Sequence, residues 1–276
     1  MDGLTVTVAS KIKIYEEVYM ATGIKDKVVI ITGGANGIGR GTARCFAREG
    51  AKIVIVTGHS VQKAEETIKE LKGMGAEAIF IQCDVRDEKQ VEAMVAKAVA
   101  QFGRVDFAFN NAGVGPEDIT IPRVHLIDYD EKYWDQIIDT NLKGVFLCLK
   151  HELRQMRKQG HGVIVNTSSV GGLRPSPGSG AYGPSKAAVN HISKQAAEEN
   201  RDLNIRVHAV CPGMIKNTGL TDRLWESSDK KGVPRPQEAL AGVPEDIGNV
   251  VVFLCSKEGS FVDGSITAVA GNQMII

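Results

Sequence analysis

What most constrains this chain is a glycine-rich turn set between an apolar run and a helical stretch. Lys27-Val28-Val29-Ile30-Ile31 is short and β-branched, the pattern of a buried strand. Thr32-Gly33-Gly34-Ala35-Asn36-Gly37-Ile38-Gly39 follows, and Ala43, Cys45, Phe46 and Ala47 then mark a helix. Strand, tight turn, helix is the arrangement that aims free backbone N–H groups and the positive end of a helix at a phosphate. Gly33 suits the tight turn, Gly37 lets a ligand approach the backbone, and Gly39 lets the helix pack close to the sheet.

Similar units recur along the chain. Apolar runs at 28–32, 52–57, 77–83, 105–110, 162–168, 205–210 and 265–270 read as strands. Helical patterns fall at about 38–49, 61–73, 87–102, 131–158, 182–200 and 245–256. Alternation of this kind implies a parallel sheet with helices on both faces, and right-handed crossovers make it doubly wound. The chain is therefore expected to be α/β, with a single domain over 25–276 and an extension over 1–24. Leu4, Val6, Val8, Ile12 and Ile14 alternate with polar residues, so part of that extension reads either as a half-buried strand or as a frayed tail.

A second constellation carries chemistry. Tyr182 and Lys186 stand four apart on a helical pattern and so share one face. An ammonium beside a phenol favours the phenolate, which brings a tyrosine into use as a proton donor and acceptor. Ser169, thirteen positions before Tyr182, ends the apolar run that begins at Gly162. A hydroxyl there lies at the carboxyl end of a strand, where open α/β sheets bind ligands.

These residues, with N-N-A-G at 110–113, N-L-K-G at 141–144, N-T-S-S at 166–169 and C-P-G at 211–213, resemble the short-chain dehydrogenase/reductase family. The likeness runs from about Lys27 to Gly271. The glycine spacing is T-G-x-x-x-G-x-G and not the commoner G-x-G-x-x-G of Rossmann folds. The resemblance implies a Rossmann-type, seven-stranded parallel sheet and reversible hydride transfer between a nicotinamide and a carbon bearing a hydroxyl or carbonyl. It implies Tyr182 as acid/base, Ser169 as hydrogen-bond partner of the substrate oxygen, and Lys186 as the group that tunes Tyr182 and holds the nicotinamide ribose. Asn141 aligns with a fourth member that holds a water beside Lys186, although its surroundings also fit an ordinary helix residue. The implied cofactor contacts are Gly33, Asn36, Gly37, Ile38 and Gly39 at the first turn, and Thr57, Gly58 and His59 after the second strand. Asp84 and Val85 fall at the adenine, Asn110, Asn111, Ala112 and Gly113 after the fourth strand, and Pro212, Gly213, Ile215 and Thr218 beside the nicotinamide. Val170, Leu173 and Arg174, with Val114 and Gly115, are expected to line the substrate pocket, under a polar loop over about 214–240 in which Leu220, Leu224 and Trp225 are candidate apolar contacts; Trp225 fits a contact between subunits equally well. A homotetramer is also implied, with Ala187, Ala188, Val189, Ile192, Ala196 and Ala197 as a small-residue face for a partner helix. The family's usual Asp-Gly-Gly after the last strand is replaced by Ala270-Gly271-Asn272.

Composition excludes several other classes. Lys plus Arg (33) equals Asp plus Glu (33), so no basic excess points to nucleic acid. No apolar run is long enough to cross a bilayer, and residues 1–24 contain no secretory signal pattern. Five cysteines, scattered and without C-x-x-C, favour a reducing, cytoplasmic setting over disulfides, and no metal-binding pattern is present.

At the end of the second strand, Thr57 stands where NAD-preferring relatives carry an Asp. No carboxylate there would repel a 2′-phosphate, which favours NADP(H), but the arginine usual in NADP enzymes is missing at Gly58 and NAD(H) stays open. Arg40, His59, Ser60 and Lys63 are candidate substitutes. The substrate is expected to be a small carbonyl or alcohol: a hydrophobic ketone, hydroxysteroid or cyclic alcohol on one reading, a sugar or polyol on another. A non-catalytic nucleotide-sensing module is the alternative of a different class.

Overall fold

The computed structural model describes residues 22–115, 123–235 and 238–271. Seven strands form one parallel sheet: β1 (Val28–Thr32), β2 (Lys52–Thr57), β3 (Ala78–Gln82), β4 (Phe107–Asn110), β5 (Gly162–Thr167), β6 (Ile205–Pro212) and β7 (Ile266–Val269). Their spatial order is 3-2-1-4-5-6-7. The order reverses between β1 and β4, which opens a crevice at their carboxyl ends.

The β-branched runs form strands because both faces are covered. Every residue of β1, β4 and β5 is buried, so hydrophobicity is continuous there and does not alternate. The pleat then divides the side chains between two cores. Val29, Ile31, Ile53, Ile55 and Phe109 meet α1 (Gly37–Arg48), α2 (Val61–Gly73) and α8 (Pro244–Cys255). Val28, Ile30, Val54, Val56 and Ile164 meet α3 (Glu88–Phe102), α5 (Gly144–Gln159) and α6 (Tyr182–Glu198).

Four features differ from what the sequence implies. The helix expected over 131–158 is two helices, α4 (Glu131–Ile138) and α5, joined by one turn of π-helix over Asp139–Lys143. The stretch 214–240 is not all loop: α7 (Gly219–Lys231) runs through it, capped by Thr218 and buried at Thr221 and Trp225. Val189, Ala196 and Ala197 do not form a face for a partner helix, because they pack into the core beneath the sheet. Within the extension, Thr22 and Ile24 belong to the folded body: the carbonyl of Thr22 accepts from the Lys257 N–H, and Ile24 is fully buried. The strand proposed across the earlier part of the extension lies outside the described residues, as does Asn272.

Close packing at the first turn sets a stringent size limit. Gly33 has φ +64, a left-handed conformation that a side chain resists. A Cβ on Gly39 would fall against the Gly33 carbonyl oxygen, which is backbone and cannot swing aside. Gly39→Ala is therefore expected to lower stability by about 1–3 kcal/mol. Gly73→Ala, at the end of α2 with nothing within 4 Å of the added carbon, should be neutral or stabilise by up to about 1 kcal/mol. Urea denaturation of both variants checks this; equal stability of the two would contradict it.

Candidate active site

A cavity of about 1210 Å³ follows the carboxyl ends of the strands. The glycine turn after β1, the ends of β2 and β3, the segment after β4, the turn after β5, the start of α6 and the segment through α7 all border it.

Its candidate catalytic end is assembled by α6. Lys186 lies one turn in from Tyr182, the first residue of α6, so both reach toward the end of β5. The Lys186 Nζ is 5.9 Å from the centre of the Tyr182 ring and donates to the Thr167 carbonyl at 2.9 Å. Lys186 is 4% exposed, and burial pulls its ammonium down to about 8, only slightly opposed by Cys211. Ser168 points away from the cavity's chemistry, with its Oγ donating to the Lys186 carbonyl at 2.9 Å. Ser169 has the opposite orientation. Its Oγ accepts from the Gly171 N–H at 3.0 Å, which leaves the hydroxyl hydrogen available. Two glycines show how closely these groups converge. A Cβ on Gly171 would stand 3.4 Å from Ser169 Oγ and 3.5 Å from Tyr182 Cε1. A Cβ on Gly113 would stand 3.1 Å from Asn141 Oδ1 and 3.3 Å from Lys186 Nζ.

Asn141 sits in the π-helical turn, fully buried. A single such turn shifts the helix register by one residue and is often found at functional sites. The side chain is fully engaged: Oδ1 accepts from the Val114 N–H at 2.8 Å, and Nδ2 donates to the Val114 carbonyl at 2.9 Å. Nδ2 also donates to Ser185 Oγ at 3.3 Å. This clasp fixes the segment after β4 against α6.

The nucleotide end is formed by Gly33, Asn36, Gly37 and Ile38, then Thr57, Gly58 and His59, then Asp84 and Val85. Asn36 caps α1 without spending its side chain on the helix, and no acidic residue stands in the first turn. That leaves the N-terminus suited to an anion. The Asp84 carboxylate is held below its usual range by Arg86, whose Nη2 lies 2.6 Å away. Asn111 lines the cavity but mainly braces it: its Nδ2 donates to the carbonyls of Thr32 and Gly33. Ala112, Gly113, Pro212, Gly213, Ile215 and Thr218 also line it.

Several expected residues lie elsewhere. Asn110 turns under the sheet, where its Nδ2 donates to Glu152 and Asn166, so it does not border the cavity. Arg40 is held by Glu70 at 2.7 Å and is not available near a 2′-phosphate. Leu173 and Trp225 are absent from the lining; Trp225 is 9% exposed and Arg235 lies over its ring. Of the other residues expected near the substrate, Val114, Gly115, Val170, Arg174, Leu220 and Leu224 do border the cavity, and Met214, Arg123 and Arg223 border it too. Nothing in the local sequence distinguished Met214, Arg123 and Arg223, because which side chains of a segment turn inward depends on how that segment docks. Among the described residues, no group of three or more His, Cys, Asp or Glu side chains is gathered as a metal would require. No helix among them is long and apolar enough to cross a membrane.

With this geometry in place, the likeness to known proteins becomes informative. The sequence profile described as short chain dehydrogenase matches residues 27–229. A 3-oxoacyl-[acyl-carrier-protein] reductase of Staphylococcus aureus (strain N315) is 37% identical over 247 residues, covering 90% of this chain and 98% of the relative. The Thermotoga maritima protein of the same name is 37% identical over 252 residues, covering 91% and 99%. The crystal structure of levodione reductase superposes with a TM-score of 0.82 at 33% identity, covering 90% of this chain and 98% of the other. The chain belongs to the short-chain dehydrogenase family, and its doubly wound seven-stranded sheet is the fold of that family. It is an enzyme of a family of NAD(P)(H)-using oxidoreductases.

The Asn141 clasp yields a direct test. Asn141→Ala leaves the Val114 N–H and carbonyl without their partner in a confined site. Stability should fall by about 1–3 kcal/mol in urea denaturation. Unchanged stability would show that Val114 finds other partners and that Asn141 does not set this segment.

Proposed function

We propose that the protein is an NADP(H)-dependent ketoreductase that reversibly interconverts a ketone and a secondary alcohol. The observation that carries this reading is the convergence of Ser169, Tyr182 and Lys186 at the end of β5. A purely nucleotide-sensing module has no need for a hydroxyl pair backed by a buried ammonium.

The site suits a dinucleotide. The cavity is long and roomy, and the turn that would meet the pyrophosphate is kept free of side chains at Gly33 and Gly37. The cofactor, when bound, supplies the hydride in reduction and takes it in oxidation. Tyr182 Oη gives its proton to the substrate oxygen as the alcohol forms, and takes one back in the reverse direction. The Ser169 hydroxyl donates to the same oxygen and stabilises the charge that develops there. Its orientation follows from the Gly171 N–H that occupies its lone pair. Lys186 spends one N–H on Thr167, and two remain for the nicotinamide ribose. The buried ammonium favours the Tyr182 phenolate when the proton leaves.

The preference for NADP(H) rests on Thr57, which brings no carboxylate to the ribose, and on His59, Ser60 and Lys63, which border the same end of the cavity. The substrate end combines Val114, Val170, Leu220 and Leu224 with serines and arginines. This suits a substrate with an apolar body and a polar or charged tail. The similar proteins are named for reducing a 3-oxoacyl group and levodione, in keeping with a carbonyl substrate. A cytoplasmic homotetramer is part of the same proposal; Phe146 on α5, 46% exposed, leaves an apolar ring for a neighbouring subunit.

The test is absorbance at the nicotinamide band with a panel of ketones and alcohols, using NADPH and NADH in parallel. Turnover is expected with NADPH preferred, and a loss of at least about 100-fold in Tyr182→Phe. Lys63→Ala should weaken NADPH more than NADH. Equal turnover in Tyr182→Phe would remove Tyr182 as the acid/base. A strong NADH preference would overturn the cofactor assignment alone.

A further inference from the structure

Beneath the carboxyl ends of the central strands lies a buried polar chain that the chemistry above does not use. Asn110 ends β4 and Asn166 stands beside it in register on β5. Asn110 Nδ2 donates to Asn166 Oδ1 at 3.0 Å, and Asn166 Nδ2 donates to Ser193 Oγ on α6 at 2.9 Å. Ser193 in turn donates to the Val189 carbonyl. At the other end is Glu152 of α5, fully buried, whose Oε2 accepts from Asn110 Nδ2 at 2.8 Å.

The hydrogen-bond inventory does not balance with an ionised Glu152. Both amide hydrogens of Asn110 are spent, one on Glu152 and one on Asn166. Two buried acceptors then have no donor: Asn110 Oδ1 and Glu152 Oε1. Leaving either unsatisfied in the core is costly. A single proton on Glu152 Oε1 removes both deficits, since it gives Oε1 a hydrogen to donate and Asn110 Oδ1 one to accept. The carboxylic acid and the amide then face each other through two parallel hydrogen bonds.

We propose that Glu152 is held as the neutral acid and closes a paired acid–amide contact with Asn110. The pair is a positioning device. It ties α5 to β4, and through Asn166 and Ser193 to β5 and α6. The residues that follow directly are Asn111, which braces the glycine turn, and Thr167, whose carbonyl receives Lys186.

The surroundings agree. Burial pushes the Glu152 carboxyl up to about 7, and the Asn110 hydrogen bond only partly counters it. Cys148, one turn earlier on α5, is the titratable neighbour on the same helix. Its thiol is pushed well up by burial, so it stays neutral. α3, packed on α5, contributes the apolar Met94, Val95 and Ala98 to this side of the sheet. β4, β5 and α6 contribute Asn110, Asn166 and Ser193, none of which is charged. His151, next in the chain, turns to Glu88 instead.

The sign of the pH dependence follows. The folded carboxyl titrates above its ordinary value, so the contribution to stability is complete in acid and is lost as pH rises through about 7. Thermal melting of wild type, Glu152→Gln and Glu152→Ala from about pH 5 to about pH 8 is the experiment. Neither substrate nor cofactor is required, so the result is independent of the proposed activity. Gln presents the same donor and acceptor as the neutral acid. Glu152→Gln should melt near wild type at acid pH and above it at the alkaline end, without the wild-type decline. Glu152→Ala should melt below both. Infrared difference spectra of wild type against Glu152→Gln should show a protonated-carboxyl carbonyl band in acid that fades toward alkaline pH. If Gln is as damaging as Ala, or if wild type and Gln share one pH slope and no such band is present, the proposal is wrong.

Discussion

The contact on which the site depends is the ammonium of Lys186 on the Thr167 carbonyl. A lysine at 4% exposure is expensive to bury as a cation, and its proton affinity falls accordingly, to about 8. The Thr167 carbonyl at the end of β5 offsets part of that cost. It also fixes the first turn of α6 relative to the sheet. Tyr182, one turn before Lys186, is thereby aimed across the crevice toward Ser169. Ser168 reinforces the contact from the other side by donating to the Lys186 main chain, so two neighbouring serines serve different ends. One supports the helix and the other, accepting from the Gly171 N–H, borders the cavity.

The nucleotide end is tied to the same frame. Thr32 Oγ1 accepts from the N–H groups of Asn111 and Ala112, and Asn111 returns donors to Thr32 and Gly33. These bonds connect the glycine turn after β1 to the segment after β4, across the point where the strand order reverses. Asn141 then clasps Val114 two residues farther on. A continuous run of side chain to main chain contacts therefore links the glycine turn of the crevice to the end lined by Tyr182 and Lys186. Sites supported in this way hold their geometry before the ligand arrives, which is what transition-state stabilisation by fixed dipoles requires.

The sequence made the strands and the Tyr182–Lys186 pairing legible because both depend on short-range regularities. Continuous β-branched runs have few fates other than a covered parallel strand, and all seven expected strands are present, with ends differing by a residue or two. Tyr182 and Lys186 share a helix, so their spacing alone brings them together. What was not legible depends on tertiary environment. One π-helical turn at Asp139–Lys143 leaves the apolar pattern of the flanking helices almost intact, so a single helix was inferred. α7 is largely polar and buries few side chains, Trp225 among them, which gives its segment the composition of a loop. Small residues on α6 suit close packing against either a sheet or a partner helix, and Val189, Ala196 and Ala197 pack against the core. Arg40 fits a phosphate-binding role by composition, but its partner Glu70 is thirty residues away in the chain and invisible to local pattern.

The central claim of the proposed function is that a buried ammonium governs proton exchange at Tyr182. The most direct measurement is the pH dependence of kcat/KM in both directions of the proposed reaction, ketone reduction with NADPH and alcohol oxidation with NADP. The Lys186 and Tyr182 protons belong to one coupled pair, so the profile reports the pair as a unit. Because the ammonium titrates at about 8, reduction, which needs the protonated pair, should fall as pH rises through that region, while oxidation should rise. Reduction that stays flat or climbs across the same interval would contradict the account.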